Sequence, residues 1–429
     1  NCSIGSIDQL TKHILTIRKW DVGGIVLITL DDIILAREKM KGIVHTTPLD
    51  FSQTFSSISA NNKVYLKLEN LQKTGSFKVR GSYNKMISLT EAELQKGVVA
   101  ASAGNHAQGV AYSSQMLGIP CTIVMPKGAP LSKVSATRQY GAEVVLQGHT
   151  FDDALAYALE LKDQMGATFV HAFDDDAVIA GQGTVGLEIL EQLPDVEAIM
   201  VPVGGGGLIG GIALAVKEKN PHVRVYGVQA MACPSMRQSL VEHEPVRVES
   251  TPTMADGIAV KKPGLHNFAL VEKYVDDIIC VDEMEIARTM LLLLERNKLL
   301  VEGSGAVSLA SLLYQKVNFK EKNVVAVISG GNVDVNFISR IIERGMVESG
   351  RYANFSMIVK DKPGEMQRVL SSIAELDANI QSVHLDHVGK DIYPGYAQLE
   401  LALETKNQDH IEEIRGVLKN KGYVVKDSD

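Results

Sequence analysis

From Thr29 onward the chain alternates two hydrophobic patterns. Short β-branched or apolar runs bounded by glycine or proline read as strands: VYLKLE (Val64 to Glu69), GVVAAS, CTIVMP, AEVVLQG and ATFVHA. Between them lie longer segments with apolar positions at helical spacing, NHAQGVAYSSQMLG, PLSKVSATRQYG and FDDALAYALELKDQMG. A threonine or aspartate cap opens the first helix, TLDDIILAREKM, and HTTPLD follows it as a proline turn. The alternation resumes with AIMVPV, GGGGLIGGIALAVKEKN, VRVYGVQ and NVVAVISGG, then a long helix to about Gly350. Strands that are continuously apolar are buried on both faces, so a parallel sheet with helices on both sides is expected.

After Gly350 the grammar changes. ANFSMIVKD is a strand, KPGEMQRVLSSIAEL a helix, ANIQSVHLDH and YAQLELALET two strands, HIEEIRGVLKNKG a helix and YVVKD a last strand. This βαββαβ order is the ferredoxin-like arrangement, and it marks residues 353–429 as a separate domain. Residues 1–28 show no packing pattern and are expected to be a poorly ordered extension.

Composition narrows the function classes. A net charge of -8 and a pI near 5.8 argue against a nucleic-acid surface. No apolar run approaches the roughly 18 residues of a membrane span. GGIVLITL (Gly23 to Leu30) is short and runs into Asp31 and Asp32. Four cysteines without a CxxC pair indicate neither a disulfide framework nor a zinc site, which fits a reducing cytoplasm.

The chemistry-bearing stretches sit at strand ends. In ENLQKTGSFKVRGSY (Glu69 to Tyr83), Lys78 follows Phe77 at a strand-to-helix junction, where burial would lower its pKa and free the amine as a nucleophile. SAGNHAQG (Ser102 to Gly109) turns a strand into a helix, whose free amides bind carboxylate or phosphate oxygens. VGGGGLIGG (Val203 to Gly211) lets several amides converge on a phosphate. It also contains G-x-G-x-x-G, yet the next strand ends in Gln229 rather than the acid a dinucleotide site expects. ISGGN (Ile328 to Asn332) places Ser329 at another strand end. Each has a plainer reading alone: a surface lysine, an N-cap at Ser102 or Asn105, a tight glycine turn, a turn-forming serine.

Together, SFKVRG, SAGNHAQG, GGGGL, TMADGIAVKKPG (Thr253 to Gly264), EGSGA (Glu302 to Ala306) and SGGN resemble the fold-type II pyridoxal-phosphate enzymes, specifically the threonine/serine dehydratases. The resemblance runs from about Thr29 to Gly350. It implies two doubly wound α/β subdomains like those of the tryptophan synthase β subunit, the smaller (about 97–172) inserted in the larger. It further implies that Lys78 carries pyridoxal 5'-phosphate covalently, with Phe77 stacked on the ring. Gly204, Gly205, Gly206, Gly207 and Leu208 would hold the phosphate, and Asn105 the 3-hydroxyl. The loop of Ser102, Ala103, Gly104, Asn105 and His106 would take the substrate carboxylate. Ser329 would face the ring nitrogen; a neutral hydroxyl there leaves the nitrogen unprotonated and favours β-elimination over transamination.

The activity implied is L-threonine ammonia-lyase, with L-serine as a second substrate. The alternatives are a serine dehydratase or racemase, and a non-catalytic amino-acid sensor on the same scaffold. Serine racemase, a relative, has a serine where this chain has Ala103, so racemisation should be weak. Its divalent-metal carboxylates correspond to Gln229 and Ser235 here, so no metal site is assigned; a monovalent cation on backbone carbonyls stays open. The C-terminal domain resembles an ACT regulatory domain. DKPG, with Asp361 and Gly364, would meet an amino-acid effector such as valine or isoleucine, the alternative being a dimerisation module that binds nothing. A homo-oligomer, dimer or tetramer, is expected.

Overall fold

The computed structural model describes the backbone at residues 21–22 and 25–26 and the whole of residues 27–389 and 392–427. It divides into two compact units, one ending at Asp334 and one beginning at Val335. Most of the expected N-terminal extension lies outside the described residues. Within it, Asp21–Val22 pairs antiparallel with Ile25–Val26. Leu27 and Ile28 are buried beside Ile33, Ile179 and Leu187, so core packing begins ahead of the Thr29 cap rather than after it.

Two sheets organise the first unit. The larger has the order Asp277–Val281, Arg224–Ala230, Ala198–Pro202, Asn323–Ile328, Lys63–Leu68, Leu49–Phe51. All its neighbours are parallel except the edge strand Leu49–Phe51, which runs antiparallel. The smaller is wholly parallel: Glu143–Leu146, Cys121–Met125, Val98–Ala101, Thr168–Phe169. This is the α/β architecture that the continuous apolar runs predict. Its central strands, such as Cys121–Met125 and Ala198–Pro202, are buried along their whole length. Ligands gather at the carboxyl ends of parallel strands. Here three neighbouring strands end together: one delivers the Lys78 segment, one the glycine run and one Ser329.

The helix Asp176–Gln192 was not predicted, and it holds the site together. Every residue from Val178 to Ile189 is buried. A Cβ on Gly181 would stand 2.6 Å from the Arg80 carbonyl oxygen, and one on Gly211 2.5 Å from that of Ile179. Glycine therefore lets this helix touch both the lysine helix, Lys78–Met86, and the glycine-run helix, Gly207–Lys219, backbone to backbone. Charge reinforces the contact. Arg80, fully buried, pairs with Glu69 at 2.7 Å and Glu188 at 2.6 Å, and Lys67 pairs with Glu188 at 2.6 Å. Removing one member of such a network strands a charge in the core and costs about 3–5 kcal/mol.

The strand Asp277–Val281 and the helices Ser235–Glu242, Leu265–Tyr274, Glu283–Leu292 and Gly303–Leu313 also went unpredicted.

The second unit has the predicted βαββαβ order, with strands arranged Asn379–Asp386, Tyr396–Glu404, Tyr352–Lys360, Val425–Asp427, all antiparallel. Alternation along Tyr352–Lys360 turns Ala353, Phe355, Met357 and Val359 into a core with Val369 and Ile373 of one helix and Ile411, Ile414 and Leu418 of the other. The helix Val335–Glu348, which the sequence reading joins to the catalytic part, is grouped with this unit. Of its residues only Ile341 is buried. Among the described residues no helix is long and apolar enough to cross a membrane.

Candidate active site

A cavity of about 780 Å³ opens between the two sheets of the first unit. Its lining includes Phe77, Lys78, the loop from Ser102 to His106, the run from Gly204 to Leu208, and Ser329. All the residues singled out in the first unit therefore meet at one place. Four helices begin there, at Lys78, Asn105, Gly207 and Gly303. First-turn amides lack intrahelical acceptors, and none of these four ends carries a side-chain cap. The cavity is built for an anionic guest.

Lys78 is half-buried because it faces the cavity. Its amine donates to the Ala172 carbonyl oxygen at 2.8 Å and lies 5.2 Å from the centre of the Phe77 ring. Desolvation lowers its pKa to about 8, partly opposed by the charge of Glu302. A usable fraction of free amine therefore exists near neutral pH.

The glycine run needs its missing side chains. A Cβ on Gly205 would stand 2.4 Å from the Phe173 ring, and one on Gly207 2.8 Å from the Phe173 carbonyl oxygen. Gly206 has φ +100°, a conformation L side chains rarely adopt. The result is a cradle of backbone N–H groups with nothing projecting into it.

On the opposite wall, the Ser102 hydroxyl accepts from the Gly104 amide at 3.2 Å. The His106 ring turns away to Val170, 2.9 Å from its carbonyl oxygen, and burial drives its pKa down to about 3. His106 is thus a neutral packing residue that offers the cavity its backbone rather than its ring. Ser329 donates a long hydrogen bond, 3.4 Å, to the Ser304 carbonyl oxygen, while the buried Ser304 hydroxyl has no partner. Gln229 is occupied elsewhere: its amide oxygen accepts from the Arg237 amide at 2.9 Å. Ser235 donates to Val260 at 2.6 Å.

Residues 40–330 match the pyridoxal-phosphate dependent enzyme family. This chain belongs to that family. The L-threonine ammonia-lyase of Thermotoga maritima is 54% identical over 400 residues, 93% of this chain and 99% of that protein. The catabolic L-threonine dehydratase of Escherichia coli is 48% identical over 316 residues, 73% of this chain and 96% of that one. Among solved structures, the processed form of threonine deaminase isoform 2 from Solanum lycopersicum superposes with a TM-score of 0.70 at 38% identity. It covers 74% of this chain and 87% of its own.

The cofactor of this pyridoxal-phosphate enzyme fits what the residues offer: an anion cradle free of side chains, a desolvated amine, and the unpartnered Ser304 hydroxyl beside Ser329.

Several cavity residues carry no role in the sequence reading. Glu302 opens the EGSGA stretch. It accepts from the Asn105 side-chain nitrogen at 2.7 Å, and burial followed by the nearby charge of Asp256 raises its pKa to about 7. Ala172 and Phe173 join the lysine to the glycine cradle. The ion pairs Lys133–Asp256 at 3.1 Å and Arg247–Asp152 at 2.9 Å line the cavity with residues 123 and 95 positions apart. No local signal could have found these pairs.

Proposed function

We propose that this enzyme is an L-threonine ammonia-lyase that converts L-threonine to 2-oxobutanoate and ammonia by α,β-elimination and also accepts L-serine. The observation that carries the reading is the convergence of the Lys78 amine, the Gly204–Leu208 amides and the Ser329 hydroxyl on one cavity. The 54% identity to a threonine ammonia-lyase across nearly the whole chain supports the choice of substrate.

When bound, the cofactor supplies an electron sink for the pair released from the substrate Cα–H bond. The protein supplies the rest. Lys78 would hold the cofactor through its amine and, when that amine is free, would take the α-proton as general base. The amides of Gly204 to Leu208 would receive the phosphate, and Phe77 would pack against the ring. Ser102 and the amides of residues 103–106 take the substrate carboxylate. Ser329, a neutral hydroxyl, would face the ring nitrogen without protonating it, and the β-hydroxyl would leave as water, its added proton balancing the one taken by Lys78. Ala103 provides no second acid on the opposite face, which disfavours racemisation.

The second unit is proposed to be an ACT-type regulatory domain. Asp361 and Gly364 stand at its first strand-to-helix turn, where Gly364 has φ +87° and nothing lies within 4 Å of where a Cβ would stand. Asp361 pairs with His387 at 3.3 Å. This turn is the proposed site for valine or isoleucine. Cytoplasmic action as a dimer or tetramer completes the reading, in keeping with the free buried thiols of Cys121, Cys233 and Cys280.

The test is ketoacid production from threonine and from serine, each with and without branched-chain amino acids. It is joined to borohydride reduction and mapping of the modified lysine. Turnover of neither substrate, or label at a lysine other than Lys78, would reject the reading.

A further inference from the structure

We infer that Asn332 and Glu302 are positioning residues that lock the Asn105 side-chain amide with a single free N–H, making it a donor to the cofactor's 3-oxygen. The inference rests on the proposed placement of the cofactor but assigns roles to two residues which that reading leaves idle.

The direction of the chain of bonds is set at one end by a group that cannot be reversed. The Thr74 carbonyl oxygen only accepts, and Asn332 lies 2.7 Å from it, so the Asn332 nitrogen must face it. The other hydrogen of that nitrogen meets Asn105 at 2.8 Å, which must then present its oxygen. The Asn105 nitrogen is thereby turned to Glu302, 2.7 Å away, whose carboxylate accepts. Reversing any amide would set oxygen against oxygen or nitrogen against nitrogen. With one N–H spent on Glu302, one remains on a side chain that lines the cavity.

Backbone geometry leaves the chain little slack. Thr74 sits at φ +64°, and Gly75, at φ +72°, could not carry a Cβ, which would stand 2.6 Å from the Asn332 side chain. A Cβ on Gly330 would stand 2.6 Å from the Glu302 carboxylate. The Gly331 amide donates to Gly75 at 2.9 Å, and the Glu302 amide to Gly330 at 3.1 Å. The SGGN loop is thus held between the segment before Lys78 and the start of the Gly303–Leu313 helix. A fixed donor beside the 3-oxygen favours its deprotonated form, which gives the visible absorption band. A fixed acceptor would favour the protonated form, which absorbs in the near ultraviolet.

The experiment reads the ratio of these two bands, and cofactor affinity, in the full-length holoenzyme and in Asn332→Asp, Asn332→Ala, Glu302→Leu and Glu302→Gln. Aspartate cannot donate, so Asn332→Asp should lower the visible-to-ultraviolet ratio by about fivefold, the equivalent of one ordinary hydrogen bond. Asn332→Ala and Glu302→Leu should lower it in the same direction, and they carry the test should Asn332→Asp fold poorly. Glu302→Gln still presents an oxygen to Asn105 and should keep the wild-type ratio. Wild-type ratio and affinity in Asn332→Ala and Glu302→Leu overturn the inference and leave the proposed function standing. A wild-type protein that forms no visible band with pyridoxal phosphate overturns the proposed function itself.

Discussion

The amine of Lys78 donates to the backbone oxygen of Ala172 at 2.8 Å, and the next residue, Phe173, puts its ring where a side chain on Gly205 would have to stand. One short segment therefore sets the distance between the proposed nucleophile and the proposed phosphate cradle. Lys78→Ala removes both the covalent anchor and the α-proton base. Turnover should fall below about a thousandth of wild type, since a residue acting in two steps cannot be spared cheaply. Weak binding of the cofactor through the glycine amides should survive, and dialysis equilibrium measures it.

Gly205→Ala drives a methyl group into the Phe173 ring. A loss of about 1–3 kcal/mol in stability is expected, as for overpacked core sites. Gly104→Ala, where a Cβ would meet nothing within 4 Å, is the matched control. Thermal melts of the two apo variants should separate clearly. Equal melting points would mean that Phe173 swings aside freely and sets no distance.

How far the sequence revealed this arrangement depends on where each residue finds its partners. Strands such as Cys121–Met125 were legible because β-branched runs between glycine and proline have few other uses. Lys78, Asn105 and Ser329 each allow a plainer reading alone, as a surface lysine, a cap and a turn residue; only the six motifs together single them out, and all three line one cavity. The helix Asp176–Gln192 was not legible. It is buried all round, so no polar face marks its period, and Gly181, Gly183 and Gly186 read as breakers when they are contact points. Glu302 and Asn332 were visible inside quoted motifs, yet their roles lie in bonds to Asn105, 197 and 227 positions away. Direction in a hydrogen-bond chain cannot be read from spacing.

Glu302 also predicts a pH dependence. Its folded pKa is raised to about 7, mainly by burial, above the ordinary carboxyl value of 4.5. A carboxyl raised in the fold binds its proton more tightly there than in the unfolded chain. Below pH 4.5 it costs nothing; as pH rises from 4.5 through 7 the folded state is increasingly penalised. Glu302→Gln removes that penalty. The apo variant should gain on the order of 1–3 kcal/mol relative to wild type at pH 8, and the gap should shrink to a small fraction of that at pH 5. Denaturant melts at the two pH values measure it. A constant gap would mean that Glu302 does not titrate in the fold.

Ser329→Asp places a carboxylate where the proposed cofactor's ring nitrogen would lie. A negative neighbour raises the pKa of that nitrogen and keeps it protonated. Elimination should slow, and the share of turnovers ending in pyridoxamine phosphate should rise. Chromatography of the cofactor after prolonged turnover measures the partition. An unchanged partition places Ser329 away from the nitrogen.

The last prediction concerns the second unit. All the residues proposed to act on substrate or cofactor lie at or before Ser329, and the first compact unit ends at Asp334. A chain cut back to Asp334, or at Ala353 so as to keep the helix Val335–Glu348, should therefore retain elimination within about an order of magnitude. What it should lose is the response to valine or isoleucine. An effector shifts an equilibrium only by its differential affinity for the two states, typically about 1–3 kcal/mol, so the full-length enzyme should change its substrate response roughly 5- to 150-fold at saturation. Asp361→Ala in the full chain offers a milder form of the same experiment, because it removes the proposed effector contact and keeps the domain. Calorimetry of valine and isoleucine against the full-length protein and this variant should show binding only to the former. If the truncated enzyme responds to the effector as the full chain does, the effector site lies in the first unit and the ferredoxin-like domain serves assembly alone.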